Sequence, residues 1–368
     1  MKIIKHILIS ALSCTAVGLY VFPAYAADVS SNDVKRSVKA LAAWFVNNQD
    51  DVFVPDRFDD AGTPASSRNY TRLLQATWLS LELTNVYTDT AFRGVALKGL
   101  SSVKQFLRCH PEQGVYFVDL DGSPSAGDTA LMILALLSAG EEPRRDEYLK
   151  NLIAGLLGLQ LDTGQFRAEF FALDSNELTK QPGLVLLALA RSALQTKDEQ
   201  TSAALNKGLG YYANPRVFKR TPSHAAYLAL SAAEAYELTK KSRYRTLVYE
   251  LSDYLLTFQQ TKLQNTSEKF IGMFGRSDGG VSTGLYLGAI RQAYSIARSN
   301  ADSKRKRRYG SSLNTGLKFL FSLQIDDDGA PFPQASGSFE RFLGEGTVRL
   351  DYNFYAMLGL HAGLEVSL

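Results

Sequence analysis

The sequence predicts an all-α fold built as a ring of six helical hairpins, and three observations carry that expectation. Apolar segments with helical spacing follow one another along nearly the whole chain, six rich in Ala, Leu and Gly and six others charged along one face. The small-residue segments begin at Asn69, Asp128, Pro182, Ser223, Ser282 and Asp351. Their starts lie 59, 54, 41, 59 and 69 residues apart, as in a degenerate repeat with variable loops. Three of the charged segments also end alike: WFVNNQDDVF at 44–53, LLGLQLDTGQF at 156–166 and FLFSLQIDDDGAPF at 319–332.

The chain alternates strictly between the two kinds of segment. NDVKRSVKALAAWFVNNQ is charged and leads into NYTRLLQATWLSLEL, which is not. FRGVALKGLSSVKQFLRCH then precedes DTALMILALLSAG, and RRDEYLKNLIAGLLGLQ precedes PGLVLLALARSAL. EQTSAALNKGLGYYANP and SHAAYLALSAAEAYEL form the fourth pair, SRYRTLVYELSDYLLTFQQ and STGLYLGAIRQAYSIA the fifth. SKRKRRYGSSLNTGLKFLFSLQ and DYNFYAMLGLHAGLEV complete the series. Asp128, Pro182, Ser223, Ser282 and Asp351 are residue types that cap or open a helix. A small-residue helix tolerates cover on all sides and belongs inside; an amphipathic one belongs outside with its stripe turned inward. Six inner and six outer helices make an (α/α)6 toroid, expected over residues 27–368 as one domain.

The recurring Gln falls in the last turn of an outer helix, where its amide is expected to satisfy carbonyls lacking intrahelical partners. Asp and Gly then make a tight reversal, and the Phe packs the short arm back over the helix ends. In the last unit this places Gly316, Phe319, Leu320, Gln324 and Gly329, ending on Phe332. In the first it places Lys39, Trp44, Phe45 and Gln49. The pattern resembles the Gln-to-aromatic repeat of terpenoid-cyclase and prenyltransferase toroids, with Phe in place of the closing Trp. With the six hairpins, the chain resembles the (α/α)6-toroid superfamily, which also holds six-hairpin glycosidases, polysaccharide lyases and uronate epimerases. The resemblance implies the ring, and a ring alone does not name a reaction.

Residues 1–26 read as a signal peptide: Lys2 and Lys5 precede an uncharged run from Ile7, and Ala24-Tyr25-Ala26 offers a small-x-small cleavage site. A periplasmic or secreted protein is expected, ahead of a lipoprotein on Cys14 or an uncleaved anchor over 7–26. Removing the signal lowers the formal charge from +3 to +1, which gives no reason to expect nucleic acid. Cys109 is then the lone cysteine, expected as a buried small hydrophobe in a protein without a disulfide.

A toroid has one concave mouth, formed by the connections from outer to inner helices. Those connections are long here (50–68, 111–127, 162–181, 264–281 and 326–350), and the reverse ones are mostly short. Polar residues at inner-helix starts therefore face the mouth. Tyr70, His224, Asp278, Glu340 and Asp351 are the candidates for moving protons or attacking, and Arg68, Asn69, Glu169, Arg276 and Arg349 for holding a substrate. Arg349 and Asp351 could equally be an ion pair that closes the ring. An isoprenoid cyclase fits less well, because Asp128-Thr129-Ala130 follows Ser, Ala and Gly rather than further acids, and Asp128 reads as a helix N-cap. Cys109 with His110 is too small a set for zinc, so no metal or cofactor is expected. Asp326-Asp327-Asp328 reads as a solvated turn. SKRKRRY at 303–309, the one dense basic run, reads as the solvated start of an outer helix from which an anionic polymer or an envelope surface could profit. A carbohydrate-active enzyme on a polysaccharide is the leading expectation; a non-catalytic polysaccharide-binding or envelope assembly protein is the alternative.

Overall fold

A computed structural model describes residues 28–366, apart from 60, 111, 172–181, 265, 276–278 and the side chains of 263, 365 and 366. The expected signal peptide, Cys14, Arg276 and Asp278 lie outside the described residues. The inner helices are α2 (Tyr70–Thr84), α4 (Ala126–Ala139), α6 (Pro182–Thr196), α9 (Pro222–Thr239), α11 (Gly279–Ser299) and α13 (Leu350–Val366). The outer ones are α1 (Ser31–Asn47), α3 (Thr90–Lys104), α5 (Arg145–Gly158), α7 (Glu199–Tyr212), α10 (Ser242–Leu256) and α12 (Ser303–Ser322). A single turn, α8 (Pro215–Phe218), and a hairpin of β1 (Leu107–Cys109) with β2 (Tyr116–Val118) are additions to the mouth loops.

The inner helices close on themselves: α2 packs on α4, α4 on α6, α6 on α9, α9 on α11, α11 on α13, and α13 on α2. Outer helices seat in the grooves between them, α3 touching α2 and α4, and α12 touching α11 and α13. This is the (α/α)6 toroid. Its tightness comes from small residues: a Cβ on Gly284 would stand 2.0 Å from the Tyr355 carbonyl, so α11 and α13 meet backbone to backbone only because Gly occupies that position. Connections away from the mouth are two to five residues long, while those at the mouth are longer, as the sequence implies.

The repeated Gln works differently from the expectation. Its amide reaches the middle of the next outer helix instead of its own last turn. Gln324 at the end of α12 donates to the carbonyls of Ser37 in α1 (3.0 Å) and Gly337 (3.0 Å), and the Ser37 hydroxyl donates back at 2.6 Å. Gln259 after α10 does the same with Ser312 of α12, and Gln160 after α5 reaches Ala204 of α7. Gln49 is the exception, donating to Val46 in its own helix. Each of the three bridging units then places a Gly at positive φ (Gly164, Gly272, Gly337) against that same neighbour and a Phe two residues later that pairs with the Gln backbone. In the last unit these are Gly337 and Phe339, correcting the expected Gly329 and Phe332. Gly329 sits in the solvated Asp turn, donating to Asp326 Oδ1 at 2.7 Å, and Phe332 packs on Phe58.

Candidate functional site

The first turns of α2 and α13 build a polar layer at the mouth. Asn69 caps α2 by accepting from the Arg72 N–H, which leaves Arg72 one turn above Gln75 on the same face. The Arg72 guanidinium donates to Asp56 at 2.9 Å and stands 3.6 Å from Asp351. Asp351 in turn receives a two-pronged pair from Arg349 at 3.0 and 2.6 Å. Arg349 and Asp351 do pair, then, and Arg72 links that pair to Asp56. Asp56 is 8% exposed, and its Oδ1 is buried without a hydrogen-bond partner. The backbone bonds Leu350 N to Asp56 O and Phe58 N to Val348 O hold this loop on the start of α13.

Below that layer, Gln75 of α2 donates to the Tyr227 hydroxyl of α9 at 2.7 Å and lies 3.4 Å from the Tyr355 hydroxyl of α13. Burial raises both phenols above their ordinary range, and a hydrogen bond joins them. His224 lies one turn above Tyr227, on the same side of α9. Three inner helices thus meet over one Gln and two Tyr.

On the other side of α2, Thr71 hydrogen-bonds Asp128 at the start of α4. Burial raises the Asp128 carboxyl, against the lowering effect of its bonds with Ser125 and Thr71. Asp128 is not the N-cap that the sequence suggests. Ser125 caps α4 and Asp128 is the third residue within it, the two linked at 2.7 Å. Glu169 runs beside Ser125 in an isolated bridge. Phe171 is half exposed and lies against His110 and Phe117, giving the rim an aromatic surface.

The other expected site residues are placed but not all gathered. Arg68 pairs with Asp50 at 2.5 Å, and Tyr70 packs on Phe106 with ring centroids 4.6 Å apart. Burial pushes the Glu340 carboxyl up, and its Oε2 accepts from the Gly346 N–H at 2.8 Å. Cys109 is exposed, contrary to the expectation, because β1 is the less covered strand of its hairpin, while β2 packs on α4 and α5. Sequence reading missed Asp56, Arg72, Gln75, Tyr227 and Tyr355. Four of these have a signal in retrospect: polar or phenolic residues one turn apart on the core-facing side of a small-residue helix. Asp56, in a loop, has none.

The opposite end of the ring holds a second charged cluster. Arg191 of α6 pairs with Glu82 of α2 at 2.5 Å and with Glu234 of α9 at 3.2 Å, and the Ser138 hydroxyl also bonds Glu82. Arg291 and His361 line the same cavity, of about 30 Å³, with Trp78 and Met357. Burial works against the Glu82 charge, but Arg191 and Ser138 outweigh it and hold the carboxyl below its ordinary range. Burial lowers His361 to about 4. A water-sized cavity is too small for a sugar, so this end seals the ring.

A closed six-hairpin ring with a polar mouth and a sealed far end defines the class, an (α/α)6 toroid. No family model matches the chain, and no curated protein matches it in sequence. Among solved structures, cellobiose 2-epimerase from Bacillus thermoamylovorans superposes with a TM-score of 0.69 at 11% identity, over 91% of this chain and 99% of that one. D-mannose isomerase gives 0.68 at 12%, over 91% and 98%. An inactive variant of an α-1,6-mannanase from a Salegentibacter species, in complex with α-1,6-mannotriose, gives 0.66 at 10%, over 90% and 99%. At these identities the likeness is one of fold.

Proposed function

We propose that the chain is an exported, carbohydrate-active protein that acts on a polysaccharide at the mouth of the ring. The observation that carries this reading is the layered mouth: planar hydrogen-bonding groups from Arg72, Arg349, Asp351 and Gln75 converge over the Tyr227 and Tyr355 hydroxyls, with the Phe171 ring on the rim. Sugars are held by such planar groups and aromatic faces. That the fold is shared with proteins described as sugar epimerases, isomerases and mannanases supports it.

Of the reaction types, hydrolysis draws most support. Asp128 and Asp351 flank the first turn of α2 in unlike surroundings, one half-buried among hydroxyls with its carboxyl raised, the other against two guanidinia. Carboxyls in unlike environments divide into proton donor and base. In this reading Asp128 protonates the leaving oxygen, Asp351 activates water, and Arg349, Asn69 and Glu169 contribute to binding. A lyase or epimerase would instead move a proton through His224 or Tyr70.

A second reading, a non-catalytic binding or assembly protein, is favoured by the way the mouth's charges already satisfy one another: Arg68 by Asp50, and Asp351 by Arg349. Incubating the mature protein with acidic and neutral polysaccharides separates these readings. The assays are reducing ends, unsaturated-uronate absorbance and retardation in affinity gels. Hydrolysis predicts new reducing ends that vanish in Asp128→Asn and Asp351→Asn while His224→Ala and Tyr70→Phe retain them. Unsaturated uronates lost in the latter pair would replace hydrolysis by elimination. Retardation without turnover would establish the binding reading, and silence in all three assays would end the carbohydrate proposal. N-terminal sequencing of protein from its native host tests export: a start near Ala27 is expected, and an intact terminus or a lipid on Cys14 overturns it.

A further inference from the structure

Outside the ring, the end of α10 and the face of α12 enclose a groove of about 460 Å³, as large as a ligand site. Its lining combines three cations and four hydroxyls with the amides of Gln259 and Gln260 and the aliphatic Leu256 and Ile271. Arg308, Ser311, Thr315 and Lys318 all line it from α12, and their spacing of three, four and three residues puts them on one stripe of the helix. The stripe runs about 15 Å at the helical rise of 1.5 Å per residue. Lys262 and Thr261 line the groove from the loop after α10, and the floor holds Gln259, Ser312 and Ile271. Lys262, Arg308 and Ser311 are exposed, Lys318 is half-buried and itself engaged, and Arg308 pairs with Asp253 at 2.8 Å. The remaining cations of the basic run, Lys304, Lys306 and Arg307, continue the exposed positive surface toward the start of the helix.

We propose that this groove is a second saccharide site, one that holds an acidic polysaccharide bearing carboxylates or sulfates. Cations at both ends of the stripe meet the anionic groups, while hydroxyls and amides between them meet the chain's own hydroxyls. A concave trough lined by cations, hydroxyls and amides fits a hydrated polymer better than a flat bilayer, and among the described residues the exposed large apolar side chains, Val86, Phe171 and Leu194, lie elsewhere. Stacked nucleic-acid bases would need aromatic platforms, and none lines the groove among the described residues. The choice of a saccharide as occupant rests on the reading of the mouth given above; the groove's charge and shape do not.

Affinity gel electrophoresis of the mature protein in polygalacturonate, chondroitin sulfate and neutral dextran tests the site. Retardation is expected in the two acidic gels and not in dextran, and it should weaken with added salt. Lys262→Glu with Lys318→Glu should weaken it about tenfold or more; Lys262→Glu alone, at an exposed loop residue, should weaken it at unchanged melting temperature, while Lys35→Glu with Lys39→Glu, exposed on α1, leaves it in place. Equal retardation of the charge-reversed protein, or none of the wild type, overturns the groove. Co-sedimentation with phosphatidylglycerol vesicles but no retardation by any polysaccharide replaces the polymer with a membrane surface. Retardation lost in the groove variant, with no turnover at the mouth, keeps this site while ending the catalytic reading.

Discussion

Gln324 and Ser37 stand 287 residues apart in sequence and exchange two hydrogen bonds, the Gln amide to the Ser carbonyl at 3.0 Å and the Ser hydroxyl to the Gln oxygen at 2.6 Å. With them the outer ring closes, since α12 and α1 belong to the last and first hairpins. Gln324→Ala removes these bonds together with the one to Gly337, and should cost about 2–3 kcal/mol. Gln49→Ala, whose amide serves its own helix at an exposed site, should cost under about 0.5 kcal/mol. Urea melts of the two variants decide it; equal losses would deny the bridge its role.

Gly337 is constrained twice over. Its φ is +87°, and a Cβ there would lie 2.5 Å from the Ala40 carbonyl. Gly337→Ala should therefore destabilise the protein by about 2 kcal/mol or more. Gly114→Ala is the control, because it shares the positive φ in open space, and it should cost less, about 1 kcal/mol.

Deleting residues 351–368 removes nearly all of α13, which packs on α1, α2, α11 and α12. The truncated chain should lose cooperative thermal unfolding, because four helices would expose apolar flanks. A sharp transition at the full-length temperature would contradict the closed ring.

Arg72 is the partner of Asp56, whose side chain is largely buried. Arg72→Ala should cost about 3 kcal/mol by stranding that charge. Adding Asp56→Asn should recover part of the loss, a non-additivity that a double-mutant cycle measures. Simple additivity of the two changes would show that the pair is not coupled.

The far end of the ring makes stability depend on acid. His361 titrates near 4 in the folded chain against 6.5 unfolded, so between those values the unfolded state binds the extra proton. Stability is therefore full above about pH 6.5 and falls as pH drops toward 4, by up to about 2–3 kcal/mol. Glu82, held low by Arg191, adds its own loss at still lower pH. Chemical denaturation from pH 4 to 7 should show the slope in the wild type and its reduction in His361→Asn.

Much of the architecture is legible in one dimension because it depends on local periodicity. The small-residue and amphipathic segments fix which helices lie inside, and the observed inner helices begin within three residues of the expected starts, at Tyr70, Ala126, Pro182, Pro222, Gly279 and Leu350. The terminal Gln positions are legible for the same reason. Their partners are not: a Gln at a helix end reads as a local cap, and only the packed ring puts the carbonyl of Ser37, Ala204 or Ser312 within reach. Spacing misleads as well, since four residues separate Gln160 from Gly164 but thirteen separate Gln324 from Gly337, which makes the nearer Gly329 look like the match.

The mouth divides in the same way. Arg349 and Asp351 are close in sequence, and their pairing could be anticipated. Asp56 lies in an irregular loop, and nothing local ties it to Arg72. Glu82, Arg191, Glu234, Arg291 and His361 come from five different inner helices; they become one cluster only when the ring closes. The sequence by itself determined the order, length and facing of the helices, because burial and helical period act over a few turns of chain. Tertiary structure alone decided which distant charges, amides and glycines meet, because those contacts depend on how six hairpins close.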